Sequence, residues 1–391
     1  MTLRHRRNPQ TPDGFAPQRH LARAARLLAA ALIAAATFGG APARAQEAVL
    51  NLYSARHYPT DEALYSGFTK ATGIRIQRVD ADDAGILARL RTEGQASPAD
   101  VVLLVDAARL WRAEGAASPA DVILLVDAAR LWRAEVDGMF RPVKSVVLEK
   151  AIPAHLRAKP TDEGTAWFGL STRARVVVYD KARVQRTDVD TYEKLAAPVN
   201  KGRFCTRSGA HPYNLSLFGA MVEHIGAPKT EAWLKGLVDN MARAPKGGDT
   251  DQIKAVAAGE CGVALTNTYY LARLMRSAKP EDQAVAGRVG VVFPNQASWG
   301  THLNIAGGAV ARHAKNVPAA VKFLEYLASP EAQNHFANGN NEWPAAVGVS
   351  FDNPALKAMT GGSFKSELVP ISRVGMNQVA VQQMLDRVGF R

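Results

Sequence analysis

Two rhythms alternate along the chain. Short apolar or alternating runs at 49–53, 74–79, 175–179, 263–265 and 289–293 have the length and residue types of strands. Between and after them, the apolar positions at 60–71, 213–225, 249–258, 269–275, 317–328 and 330–336 recur with helical spacing. The first of these helices is also punctuated: Thr60 stands at the N-cap position, Asp61 and Glu62 in the first turn, and Gly73 just past the end. Strands alternating with helices predict an α/β chain with largely parallel sheets.

The N-terminus breaks the rhythm. Arg4, Arg6, Arg7, Arg19, Arg23 and Arg26 precede an apolar stretch at 27–38, followed by Gly39-Gly40-Ala41-Pro42 and Ala43-Arg44-Ala45. A basic start, a short apolar segment and a small-residue site make a secretory signal peptide, with cleavage expected after Ala45. The stretch is short of the about 20 residues that span a membrane, and no later segment is apolar for 18 residues. No Cys lies near the cleavage site, so soluble export to a periplasm is the expected destination.

Composition then narrows the class. With 47% hydrophobic and 21% charged residues, the chain is neither disordered nor a small disulfide scaffold, and 391 residues suggest two globular lobes. The formal charge of +12 hints at nucleic acid, but the presequence holds seven arginines and one aspartate, half of that excess. The remainder shows no Lys/Arg cluster, so a nucleic-acid partner is not expected.

One segment occurs twice. Residues 93–113 and 114–134 differ only at Gln95/Ala116 and Val102/Ile123. Each copy reads as Ser-Pro punctuation, a strand, then Asp106 or Asp127 placed to cap a short helix bearing Trp111 or Trp132. Two copies are too few for a solenoid. One copy is therefore expected in the core, and the other as an extra strand–helix pair or an extruded segment.

The candidate chemistry lies in tyrosines. His57-Tyr58-Pro59 follows the first strand, Tyr213 follows His211-Pro212 at a helix start, and Tyr269-Tyr270 follows the strand at 263–265 and Thr266-Asn267-Thr268. These are strand C-terminal ends and helix N-termini, where open α/β sheets bind ligands and where anions are stabilised. Phenolates are hard anionic donors that suit Fe³⁺, and a bound cation deprotonates a phenol far below its usual pKa of about 10. Singly, Tyr53, Tyr58, Tyr65 and Tyr179 read equally well as core aromatics, and His211, His224 and His302 as structural histidines.

Four segments, YSARHYPTDEALYSGFTKATGI (53–74), CTRSGAHPYNLSLFGAMVEHIG (205–226), PKGGDTDQIKAVAAGECGVALTNTYYLARL (245–274) and SWGTHLNIAGGAVARHAKN (298–316), resemble the periplasmic ferric-iron-binding proteins of ABC importers. The resemblance implies a two-lobed type II periplasmic binding protein. Each lobe is then a mixed, mostly parallel sheet flanked by helices, and the lobes are joined by crossing strands. It implies metal ligands at His57, Tyr58, Tyr213, Tyr269 and Tyr270, with Arg203 or Arg207 balancing phenolate charge or holding an anion. The expected parts are a signal at 1–45, the first lobe at 46–170, the second at 171–288, and a return to the first lobe with C-terminal helices at 289–391. Hinges are expected at 170–178 and 289–294. Cys205 and Cys261, an even pair in an oxidising compartment, are expected to bridge. Fe³⁺ is the implied cargo, an inner-membrane permease with its ATPase the implied partner, and a monomer the expected state. No P-loop, G-x-S-x-G or H-E-x-x-H motif is present, so no enzymatic activity is expected. Two readings stay open on the residues alone. The same fold could hold a small solute or anion against a recognition wall of tyrosines. A secreted hydrolase or transferase would need a nucleophile–base pair, and none stands out.

Overall fold

The computed structural model describes residues 48–54, 60–81, 89, 92, 93, 96, 98, 100–103, 122–126, 128–136, 138 and 140–391. The presequence, His57, Tyr58 and much of the duplicated segment lie outside them. The first strand β1 (Val49–Ser54) is followed by α1 (Asp61–Thr72) and β2 (Arg75–Asp80), which pairs with β1 in parallel. Gly73 ends α1 at φ 71°, where a glycine carries no Cβ penalty. Thr60 precedes the helix but does not cap it: its hydroxyl is spent on Asn340 Oδ1 at 3.1 Å.

Both copies of the repeat enter the sheet. The first supplies β3 (Val101–Leu103) and the second β4 (Val122–Val126), which leads into α2 (Ala128–Val136). β3 pairs with β1, and β4 pairs with β3 in parallel. Val101 faces Val122, Val102 faces Ile123 and Leu103 faces Leu124, so each residue lies beside its own counterpart in the other copy. Leu131 of α2 is fully buried in the core, and the Trp132 side chain packs against Gly375, where an added Cβ would meet it at 2.3 Å. Because the two copies pair in register, one copy alone is expected to bridge β1 to β10 without flipping a face. Deleting 114–134 is therefore expected to give a cooperatively folding protein with a urea midpoint no lower than that of the full chain. An unfolded deletion product would show that the copies are not interchangeable.

The chain continues through β5 (Phe140–Arg141) and α3 (Val146–Ala151) into the long strand β6 (Phe168–Asp180). Next come β7 (Phe204–Cys205), α4 (Pro212–Ile225), α5 (Ala227–Asp239), α6 (Asp249–Ala257), β8 (Val263–Asn267), α7 (Thr268–Met275), α8 (Pro280–Arg288) and β9 (Val289–Val292). The last part is β10 (Leu303–Ala311), α9 (Val317–Leu327), α10 (Pro330–Asn340), β11 (Trp343–Pro344), α11 (Pro354–Thr360), α12 (Ile371–Met376) and α13 (Gln378–Val388). Among the described residues no helix is long and apolar enough to cross a membrane.

The strand order is β2-β1-β3-β4-β10-β6-β8-β7, with β5 on β10 and β9 and β11 on β6. β6 changes partners along its length. Residues up to Ala174 pair with β10, and those from Arg175 onward pair with β8 and β9. It is thus a strand shared by two lobes, and the change falls inside the predicted hinge at 170–178. The second link runs from β9 in one sheet to β10 in the other.

The mostly parallel expectation needs correction. Parallel pairing is confined to β1–β2, β1–β3, β3–β4 and β7–β8, while every pairing of β6 and β10 is antiparallel. The βα alternation forecasts parallel neighbours only within a lobe; the strands that carry the chain between lobes run against them.

Three apolar clusters hold the two lobes. One gathers Leu52, Phe68, Val101, Leu131, Trp167, Ile305 and Phe323 around the first sheet, and also takes in Tyr53 and Tyr65 as core aromatics. The other two flank the second sheet. One centres on Tyr192, Phe204, Phe218, Trp233 and Leu265, the other on Val178, Cys205, Ile253, Cys261 and Leu271. The C-terminal stretch is divided: Phe323 and Leu324 belong to the first cluster, while Val381, Met384 and Leu385 of α13 pack with Phe218 and Trp233. Cys205 and Cys261 form a disulfide with Cα atoms 5.9 Å apart, next to the β7–β8 pairing.

Candidate metal centre

The centre is built where two neighbouring parallel strands hand over to helices. β7 and β8 lie side by side, Phe204 against Val263 and Cys205 against Ala264. Each chain then runs on to a helix start, α4 with Tyr213 and α7 with Tyr269 and Tyr270. Because each tyrosine helix lies the same eight residues past a disulfide cysteine, the two helix N-termini emerge together.

Local chemistry fixes both starts. Pro212 occupies the first turn of α4, and the His211 side chain caps it, Nδ1 accepting from the Tyr213 N–H at 3.2 Å. The His211 ring also packs edge-on to Tyr213 with centroids 4.5 Å apart. Asn267 stands at the N-cap of α7 and ends the fully buried β8.

The phenols converge. The hydroxyls of Tyr213 and Tyr269 are 3.1 Å apart, and the Tyr269 and Tyr270 rings lie 4.2 Å apart, tilted by 32°. Tyr269 is buried and Tyr270 half-buried. Adjacent helical residues normally diverge, so the ring contact shows both turned toward one space.

Arginines surround this cluster. Arg173 lies over Tyr269 at 5.7 Å, Arg175 and Arg207 over Tyr213 at 5.9 and 5.0 Å, and Arg273 over Tyr270 at 5.7 Å. Arg173 and Arg175 are almost wholly buried, and both are paired. Arg173 Nη2 donates to Glu342 Oε1 at 2.7 Å, and Arg175 Nη1 donates to Asp249 Oδ2 at 2.6 Å. Arg207 reaches the same aspartate at 3.3 Å.

Of the two arginines expected near the centre, the structure brings in only Arg207. Arg203 stays in the turn before β7, against the start of β8: its carbonyl accepts from the Gly262 and Val263 N–H groups, and a Cβ added at Gly262 would meet the Arg203 side chain at 2.9 Å. His57 and Tyr58 lie outside the described residues. His224 and His302 play no part here; both hydrogen-bond the buried Glu367 carboxylate, which they hold below its usual range although burial opposes this.

Burial keeps protons on Tyr213 and Tyr269. Burial raises the pKa of Tyr213, Tyr270 adds to it, and Arg173 and the Tyr269 hydrogen bond oppose it. Burial likewise raises Tyr269, with Tyr213 and Tyr270 reinforcing and Arg173 opposing. Burial would lower Arg207, but the carboxylate of Asp249 and the phenols of Tyr270 and Tyr213 raise it. Tyr213 and Tyr269 are thus hard oxygen donors held in their protonated form, and only a strongly charged cation would displace those protons. Among the described residues no group of three or more His, Cys, Asp or Glu side chains is arranged to hold a metal.

Sequence reasoning missed Arg173, Arg175, Asp249 and Glu342. The signal was present in FGLSTRARVVVYD: two arginines spaced by two inside an apolar run place buried cations on one face, which demands counter-ions.

A model of bacterial extracellular solute-binding proteins matches residues 63–359. The chain belongs to that family. The binding protein is 41% identical over 351 residues to iron uptake protein A1 of Synechocystis sp., covering 90% of this chain and 89% of that one. It is 27% identical to an Fe(3+)-binding periplasmic protein of Serratia marcescens, covering 84% of this chain and 87% of that one. Among solved structures it superposes with TM-score 0.76 and 45% identity on a Trichodesmium protein in complex with iron and citrate ligands, covering 88% of this chain and all of that one. A ferric binding protein from Campylobacter jejuni follows at TM-score 0.73 and 36% identity, covering 88% of this chain and all of that one.

Proposed function

We propose that the binding protein captures Fe³⁺ between its two lobes through tyrosinate oxygens and delivers it to an inner-membrane ABC importer. The observation that carries this reading is the convergence of Tyr213, Tyr269 and Tyr270, with two hydroxyls 3.1 Å apart beneath four arginines. The names of the iron-binding relatives support it. Tyr58 is the ligand offered by the first lobe, His57 an added donor, and Tyr213, Tyr269 and Tyr270 the ligands of the second. Iron that bridges both sets holds the lobes shut, because only the closed state satisfies all the donors. The cargo is carried without covalent chemistry, and ATP use belongs to the permease and its ATPase. The working form is a monomer in the periplasm, cleaved after Ala45. Its first lobe begins at 46–170, its second spans 171–288, and 289–391 is shared between them.

Fe³⁺ loading of the mature protein followed by desalting tests this directly. A phenolate–iron charge-transfer band in the visible is the expected result, and a colourless protein would sink the iron reading in favour of a small solute or anion held against the tyrosines. The pH dependence has a definite sign. The folded-state pKa values of Tyr213 and Tyr269 are raised, so both are protonated at neutral pH and iron displaces their protons. At least two protons leave per iron, so affinity rises about 100-fold per pH unit and falls equally in acid. Titration in weak buffer measures that proton release.

A further inference from the structure

One carboxylate links the segments that carry Tyr213, Tyr269 and Tyr270. Asp249, in the first turn of α6, is fully buried. Its Oδ2 accepts from Arg175 Nη1 at 2.6 Å and from the Asn267 main-chain N–H at 2.7 Å. Its Oδ1 accepts from Arg207 Nη1 at 3.3 Å. Asn267 stands at the N-cap position of the helix of Tyr269 and Tyr270, and its side-chain oxygen accepts from Arg175 Nη1 at 3.2 Å instead of capping. Arg175 Nη2 donates to Asn214 Oδ1 at 2.8 Å, one residue beyond Tyr213. The Asn214 amide in turn ties down the carbonyls of Arg207 and Ser208. Four segments thus meet at this group: β6, the loop after β7, the start of α6, and the β8–α7 junction.

We propose that Asp249 is the positioning residue of the tyrosine centre. Through Arg175, Arg207 and Asn267 it sets where the phenolic oxygens of both helices stand. It also offsets the two guanidiniums that lie over the Tyr213 ring. Without it those two cations act on the phenolate uncompensated, and a trivalent ion meets one more positive charge. This rests on the Fe³⁺ reading above.

The test compares the Fe³⁺-loaded full mature protein with Asp249→Asn and Arg207→Gln, alongside melting curves of the iron-free forms. Asp249→Asn keeps the side-chain shape and removes the charge. It is expected to weaken Fe³⁺ binding at least ten-fold and to move the charge-transfer band to shorter wavelength, because a cation on the ring holds the phenolate electron more tightly. Arg207→Gln removes a cation from the same ring and is expected to move the band the opposite way. A merely structural role does not produce shifts of opposite sign. Unchanged affinity and band in Asp249→Asn, or shifts of the same sign in both variants, would overturn the proposal. If iron-free Asp249→Asn shows no folding transition, Arg207→Gln decides alone: a band at longer wavelength supports the assignment, and an unmoved band refutes it. A colourless wild type defeats the iron reading and this inference together, whereas a coloured wild type with unmoved variants defeats only this one.

Discussion

Replacing Tyr269 by phenylalanine is expected to leave the protein colourless after Fe³⁺ loading and desalting, with affinity reduced roughly 100-fold or more. Outer-shell partners of metal sites alone typically cost about 10–100-fold, and Tyr269 offers the oxygen itself. The substitution is clean because the ring stays. Its contact with Tyr270 at 4.2 Å and the guanidinium of Arg173 at 5.7 Å do not depend on the hydroxyl. What goes is one buried oxygen, 3.1 Å from that of Tyr213. The iron-free protein should melt no lower than wild type, since the Tyr269 hydroxyl is desolvated there and, among the described residues, pairs with another phenol, that of half-buried Tyr213. Loss of iron with stability intact is the signature of a ligand. Full colour and wild-type affinity in Tyr269→Phe would remove it from the centre.

Converting Cys205 and Cys261 to alanine is expected to cost about 4 kcal/mol of unfolding free energy. The estimate follows from the entropy of closing a loop between residues 56 apart. Against a total of roughly 5–15 kcal/mol, that is enough to shift the urea midpoint plainly. The bridge also clamps the parallel contact of β7 and β8, from which both tyrosine helices start. Iron affinity should therefore fall along with stability in the double variant, and urea unfolding with iron titration measures both. A midpoint equal to wild type would show that the strand pairing and the clusters around it suffice without the link.

The duplication bears on the ligand proposed for the first lobe. Tyr58 lies four residues past the end of β1, and the second copy adds one strand between β1 and β10. One strand spacing is about 4.8 Å, more than twice a metal–ligand bond of about 2 Å. In a chain lacking 114–134, iron affinity is expected to be intact or improved and Tyr58→Phe to cost more than in the full chain, as Fe³⁺ titration of the four proteins would measure.

Much of the fold is legible in the sequence itself. The strands at 49–53 and 263–265, the helices beginning near Tyr213 and Tyr269, and the Gly73 stop all rest on neighbours within a few residues, so periodicity and end signals report them. The tyrosines could be singled out because a helix N-terminus is itself a local feature. The bridge followed from the compartment and an even cysteine count.

Other parts could not be read that way. Arg203 and Arg207 are equivalent by composition, yet one lines a turn and the other lies on Tyr213. Where β7 stops decides between them. The antiparallel setting of β6 and β10 depends on pairing partners far along the chain. So do the seating of both repeat copies in one sheet and the ion pair of Arg175 with Asp249, 74 residues away. Local sequence determined which segments form and which carry oxygen donors. The tertiary structure decided which charges meet, because a buried cation finds its partner through the packing of the whole lobe.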